Sequence, residues 1–325
     1  MPERCIDEDV VGGDAFVVDA STIRADANRE KGGPDENGLP EGASSRAIDE
    51  YIATLDDAAF GGATPIVSKY LSPADPAARW TSAHRKGQAF YAYSVNYLND
   101  CQNAVIVDVD GSAAIRTAEL AVTRQMIDRV EARHALAPER LSGDTAYGSA
   151  DMLGWLVYDR GIEPHIPVFD KSARKDGTLE RAAFDYDRES DTYTCPAGKP
   201  LKTTGRRVND GTTLLCRASK KACEICPDKP RCCPRTPSGK VPRSIHEGAR
   251  DMARDIWKSE AYVTSRRERK KVEMLFAHLK RIMNLDRLRL RGPNGANDEF
   301  LLAATAQNLR KLAKLSVQGA IPVSA

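Results

Sequence analysis

Three carboxylates in this chain sit where ordinary sequence economy does not explain them. Asp19 interrupts the strand-like FVVDASTI, and an aspartate there works against strand propensity and needs a reason. By period-2 alternation it shares a face with Val17 and Ser21, while Phe16, Val18 and Ala20 point the other way. A solvated strand face is the competing explanation, and Asp14 and Asp26 lie nearer the strand's ends. Asp144 closes the short LSGD before TAYGS. Acids at strand C-termini line active sites in α/β sheets because the loops converge there. Beside Gly143 it reads equally as a turn aspartate, and Asp108 and Asp110 in VIVDVDGS are rivals, Asp110-Gly111 also being a good turn pair.

The third is Glu273 in RKKVEMLFAHLKR. Val272, Leu275, Phe276, Leu279, Ile282 and Met283 repeat as a core-facing helical stripe. Glu273 flanks it, with Ala277 one turn on, Arg269 one turn back and Lys280 two turns on. An Arg269–Glu273 pair runs in the less favourable order, and such pairs contribute only about 0.2–0.5 kcal/mol. A carboxylate at the edge of a buried stripe, flanked by cations, suits a shared metal ion with Arg and Lys on phosphates.

Cysteine chemistry is concentrated in one segment: Cys195, Cys216, Cys223, Cys226, Cys232 and Cys233 lie within 39 residues of the 325. Cys223-x2-Cys226 has the spacing with which two thiolates grip one Zn²⁺, and Cys195 with Cys232 or Cys233 can close a tetrahedron. Reduced structural thiols are the alternative; disulfides do not suit a cytosolic chain. Four thiolates leave no open position, so a zinc there would be structural.

These residues need elements to hold them. AFVVDASTIRADA begins as a strand, and residues 29–64, rich in Gly, Pro, Asp and Glu, read as a flexible excursion with a short helix around AIDEYIATL. QAFYAYSVNYL and NAVIVDVDGS form a hairpin, and residues 117–136 have helical periodicity. A short strand then leads to Asp144, a Ser149-capped helix runs to about Asp159, and IEPHIPV is another strand. Residues 176–243 are polar and Cys-rich, with short strands such as YTCP and TTLLCRAS. One long charged helix is expected from His246 to about Asn284. GPNGAND is expected to be a loop, and Asp298 to cap a last helix. The order is mixed α/β.

Length and composition, 41% hydrophobic and 29% charged, are those of a globular protein that buries a substantial core. No apolar run reaches membrane-span length and the N-terminus has no signal-peptide pattern, so no membrane partner and a cytoplasmic location are expected. The net charge of +2 hides an asymmetry: residues 201–291 hold 24 Lys+Arg against 10 Asp+Glu, the rest 24 against 36. A basic block on a neutral average points to a polyanion, most commonly nucleic acid; a solvated basic face without a partner is the alternative.

Together these segments resemble the DDE transposases of bacterial insertion sequences, over nearly the whole chain. VDASTIRADAN looks like the family's first motif, with its acid at Asp19, and GDTAYGS like the second, with its acid at Asp144. The third signature, Tyr-x2-Arg-x3-Glu-x6-Lys, is matched by Arg269, Glu273 and Lys280, with Arg266 at the Tyr position. DPAARW, CRASKKACEICPDKPRCCP and RLRLRGPNGANDEFLLAATAQNLRKL also look like family segments.

The resemblance implies an RNase H-like mixed sheet with flanking helices, interrupted by a Cys-rich insertion. Residues 1–175 would be the first part of the core, 176–243 the possibly zinc-binding insertion (Cys195, Cys223, Cys226 and Cys232), 244–316 the completing helices and 317–325 a tail. It implies cleavage and strand transfer of DNA, with Asp19, Asp144 and Glu273 holding Mg²⁺ or Mn²⁺. Arg269, Lys280 and Arg266 would contact phosphates, and the chain would bind transposon-end and target DNA as a homo-oligomer. Family members usually carry an N-terminal helical region before the first motif, so a shortened transposase is expected. The rival readings are a DNA-binding remnant without catalysis and a zinc-stabilised interaction module.

Overall fold

The computed structural model describes residues 2–62, 64, 67–82, 87–170, 172 and 174–317; most of the expected tail lies outside them. In chain order the first elements are α1 (Pro2–Asp7), β1 (Ala15–Arg24), β2 (Gly33–Pro34), α2 (Arg46–Ala53), β3 (Tyr70–Leu71) and β4 (Arg79–Thr81). β5 (Phe90–Asp100), β6 (Ile106–Ala113), α3 (Arg116–His134), β7 (Arg140–Ser142), α4 (Ala150–Gly154) and β8 (Glu163–His165) follow. The middle segment carries β9 (Asp185–Asp187), β10 (Thr192–Thr194), β11 (Pro200–Lys202), β12 (Arg207–Val208), β13 (Thr213–Ala218), α5 (Lys220–Glu224), α6 (Lys229–Cys232) and β14 (Lys240–Ser244). Three helices close the chain: α7 (Glu247–Trp257), α8 (Glu260–Arg281) and α9 (Gly292–Val317).

The chain divides into two compact units, the first being Met1–Tyr147, Gly161–Pro167 and Ile256–Ala325, the second Gly148–Arg160 and Val168–Asp255. The first unit is a mixed sheet in the order β4-β5-β1-β7-β8, with β6 also on β5. β1 pairs antiparallel to β5 and parallel to β7, with Val17 opposite Ser142; β8 continues the parallel set. The β-branched and aromatic runs of β1 and β5 suit a sheet covered on both faces, and Phe16, Val17, Val18, Tyr93, Val95 and Tyr97 are fully buried. Ala15, Val17 and Ile23 pack into one core with Val272, Phe276 and Leu279 of α8 and Phe300 of α9. The odd-numbered face of β1 is therefore the face under α8.

The second unit is an antiparallel sheet in the order β12-β13-β11-β10-β9, with β14 on β13. Its small core is built from Phe184, Tyr193, Leu201, Cys216, Val241 and flanking cysteines. Beside it lies a buried charge hub. Glu247, 1% exposed, accepts from Arg250 at 3.0 Å and Arg254 at 2.8 Å and also pairs with Arg181. A lone buried carboxylate would be costly; three guanidiniums make it tenable.

Two helix expectations are corrected. The expected helix from His246 to Asn284 is two helices, because Ser259 leaves helical backbone and its hydroxyl caps α8 by accepting from Tyr262 N. Consequently α8 ends at Arg281, and Ile282, expected on the buried stripe, is 68% exposed. GPNGAND is not a loop: it forms the first turns of α9, where Pro293 costs no hydrogen bond. Gly292, at φ 82°, permits that entry; a Cβ there would also run into Glu50 Oε2.

Candidate active site

Asp19 lies on the α8-facing side of β1, in phase with Val17 and Ile23. β7 runs parallel to it, and extending the Val17–Ser142 register by two residues brings Asp144, just past the strand, level with Asp19. Helix α8 supplies Glu273 from across the sheet face. Arg269, one turn back, ties that helix to the β7 exit: its Nη1 donates to Gly143 O at 3.2 Å and its Nη2 to Glu273 Oε1 at 3.5 Å.

Asp19 feels the charge of the other two acids. The Asp19 carboxyl is pushed up to about 7, chiefly by burial, with the charges of Asp144 and Glu273 adding to the rise. The Ala20 N–H and Arg269 offset part of it. Yet each carboxylate is turned to a local partner: Asp19 Oδ1 accepts from Ala20 N at 2.9 Å, Asp144 Oδ1 from Ala146 N at 2.7 Å, and half-exposed Glu273 leans on Arg269. Accordingly, among the described residues no three His, Cys, Asp or Glu side chains are gathered in a way that could hold a metal ion. Electrostatic proximity and side-chain orientation thus give different answers. The donor chemistry, hard carboxylate oxygens with a single guanidinium against three acids, fits a divalent cation; the rotamers are those of separate residues.

Of the remaining expected contacts, Arg266 is exposed on the same flank of α8 as Glu273. Lys280 is half-buried, its ammonium pushed down by burial with Asp286 opposing. The rivals Asp108 and Asp110 are engaged elsewhere, bonded by Arg129 at 2.8 and 2.9 Å.

One acid escaped the sequence reading. Glu119, in the first turn of α3, accepts from Ser94 Oγ at 2.7 Å, and its carboxyl is raised by burial and by the charge of Asp144. Tyr147 is buried nearby, its phenol pushed far up by burial and by Glu119, Asp19 and Asp144; its hydroxyl makes no hydrogen bond of ordinary geometry. An acid near a helix N-terminus is unremarkable in a sequence, so only the fold exposes Glu119.

In the second unit Cys195, Cys223, Cys226, Cys232 and Cys233 line a cavity of about 20 Å³. The Cys232 thiol is pushed up to about 12, first by burial and then by Cys233, Cys195 and Cys223. Lys199 N donates to Cys195 Sγ at 3.3 Å and Gly239 N to Cys223 Sγ at 3.5 Å. Cys226 lines the cavity without being among the thiols that act on Cys232.

Residues 194–313 match the family model of the transposase DDE domain, which supports a DDE-type transposase. The matched segment holds the Cys-rich region, Arg269, Glu273 and Lys280, and stops short of Asp19 and Asp144. No curated protein and no solved structure matches the chain. No helix among the described residues is long and apolar enough to cross a membrane.

Proposed function

We propose that the chain is an insertion-sequence transposase that cuts and joins DNA at a site made by Asp19, Asp144 and Glu273. The observation that carries this reading is the placement of Asp19 level with Asp144 on neighbouring parallel strands, with Arg269 of α8 bonded to Gly143 O beside Glu273, in a chain whose residues 194–313 match the transposase DDE domain. The mixed sheet with helices α3, α8 and α9 supports an RNase H-like core, with residues 1–175 and 244–316 contributing to it around the Cys-rich segment 176–243.

Asp19, Asp144 and Glu273 would hold Mg²⁺ or Mn²⁺. When bound, paired ions of this kind supply an activated nucleophile and stabilise the leaving oxygen in phosphoryl transfer. The chain's own residues do the positioning. Arg269, fixed to Gly143 O, keeps the α8 carboxylate beside the β7 exit and offers its guanidinium to a phosphate. Lys280 and Arg266 lie on the same flank of α8, so a DNA strand passing Glu273 meets cations on both sides. Burial raises the Asp19 carboxyl, and a bound divalent cation would favour its ionised form. Assembly as a homo-oligomer on transposon ends and a cytoplasmic location belong to the same reading.

Glu273→Ala is expected to abolish Mg²⁺-dependent cleavage of transposon-end DNA while leaving affinity for that DNA within about twofold, read by gel-based cleavage and binding assays. Equal loss of binding and cleavage would make Glu273 a structural residue. A wild-type chain that binds DNA and cleaves none under any divalent ion would be the catalytically silent remnant instead.

We further propose that the thiol cluster takes a structural Zn²⁺ once its side chains, which are not gathered around a common point here, turn inward, with Cys195, Cys223 and Cys232 as ligands and Cys226 or Cys233 as the fourth. The backbone N–H groups of Lys199 and Gly239 already donate to two of those sulfurs, which is how thiolate charge is stabilised around a metal. Mass spectrometry of the native protein is expected to find one zinc. Of Cys226→Ser and Cys233→Ser, the variant that loses it identifies the fourth ligand.

A further inference from the structure

Helix α8 carries a second basic stripe. From Glu273, Arg281, Met274, His278 and Lys271 lie roughly 80–160° around the helix, at 100° per residue. They face the last turns of α9 across a cavity of about 610 Å³, whose lining includes Lys271, His278, Arg281, Arg310, Lys311 and Lys314 and no Asp or Glu. Lys271 is tethered, donating to the carbonyls of Cys101 and Gln102 at 3.0 and 3.3 Å. Arg281, Arg310, Lys311 and Lys314 have no carboxylate partner among the described residues.

This arrangement costs the folded chain something. Lys311 is pushed down by burial and then by Lys314, Lys271 and Arg310, and His278 by burial, Arg310 and Lys314. Elsewhere in the same unit several cations are matched: Arg129 by Asp108 and Asp110, Arg140 by Glu268, Arg287 and Arg291 by Asp26. Unmatched cations crowded into one groove are explained by a polyanion that arrives from outside.

We propose that the α8–α9 groove is a second binding track for the phosphodiester backbone of duplex DNA, separate from the acids on the sheet face. Lys271 to Arg281 spans about 15 Å of helix, on the order of four phosphates along one strand. Exposed Met274 and Ile282 in the same lining offer apolar contact to sugars. Three of the five lining cations (Arg310, Lys311 and Lys314) lie beyond the basic block of residues 201–291. The groove rests on the transposase reading for its ligand, since that reading supplies the DNA.

The test is the triple variant Arg281→Gln, Arg310→Gln, Lys314→Gln, titrated with a fluorescent 30-base-pair duplex over 50–300 mM NaCl by anisotropy. The expected result is a log–log salt slope smaller by about 2–3, since each phosphate contact contributes roughly 0.9. Affinity at the lowest salt should fall at least tenfold. The melting temperature should be unchanged or raised, because like charges have been removed; a structural role would lower it. An unchanged slope and affinity overturns the groove alone and leaves the transposase reading standing. So does a variant that keeps its slope but loses self-association, which would make the groove an interface between copies. A wild-type chain with no duplex affinity overturns both.

Discussion

A carboxyl that holds its proton to about pH 7 taxes the folded state in a predictable direction. The unfolded Asp19 releases its proton near pH 4 and the folded one near 7, so between those values the native state binds more protons than the unfolded. Stability from this group therefore falls as pH rises through that window. Asp19→Asn is expected to raise the melting temperature at pH 7.5 in metal-free buffer, by an amount worth roughly 1–3 kcal/mol, and to leave it nearly unchanged at pH 4. Melting curves across that range check it; a gain of equal size at both ends would point to packing instead. Asp19 stands out as a candidate in the sequence because it breaks a strand pattern, Asp144 because it ends a strand. Glu119 breaks none, and its place beside Asp144 needs α3 docked on β5, which no local signal encodes.

At the scale of elements, β1 and β5 follow from β-branched and aromatic runs bounded by turn residues, and α3 from its helical repeat. The helix boundaries near the end were harder: the polar, helix-forming run through Lys258 and Ser259 hides a cap, and Gly292-Pro293 reads as a breaker although proline is a good first helical residue. Outer strand β6 shows a dependence on α9 that a sequence cannot display. Asn308, 3% exposed, accepts from Ile106 N at 2.9 Å and donates to Ile106 O at 2.8 Å, so one amide replaces a missing strand neighbour. Asn308→Ala leaves both backbone groups buried and unpaired, and is expected to cost about 2–4 kcal/mol in urea unfolding. A cost below about 1 kcal/mol would mean that water substitutes for the amide.

For the whole molecule, charge and cysteine content were legible as partition: the basic block, the Cys-rich segment and the acidic remainder are visible in composition. The interleaving of the two units was not, since it depends on which distant strands pair. A zinc held by the second unit predicts a separable response. Incubation with a strong chelator should lower the melting of the β13–β14 sheet, followed by the slowed amide exchange of Leu215 to Arg217, while the β1–β5 pairing keeps its protection. Loss of protection in both sheets together would show that the units unfold as one.

The order in which the first unit is written along the chain has a consequence during synthesis. Asp19 and Asp144 emerge early, but β1 lacks its α8 cover until the chain has returned from Val168–Asp255. At about 5–20 residues per second, Glu273 follows Asp144 by roughly 6–26 s. Throughout that interval a nascent sheet with an uncovered apolar face must wait on the ribosome. A message cut short before α8 would yield a product with that face uncovered, prone to aggregate and lacking Glu273, so a transcript broken anywhere between β1 and α8 is silenced by folding.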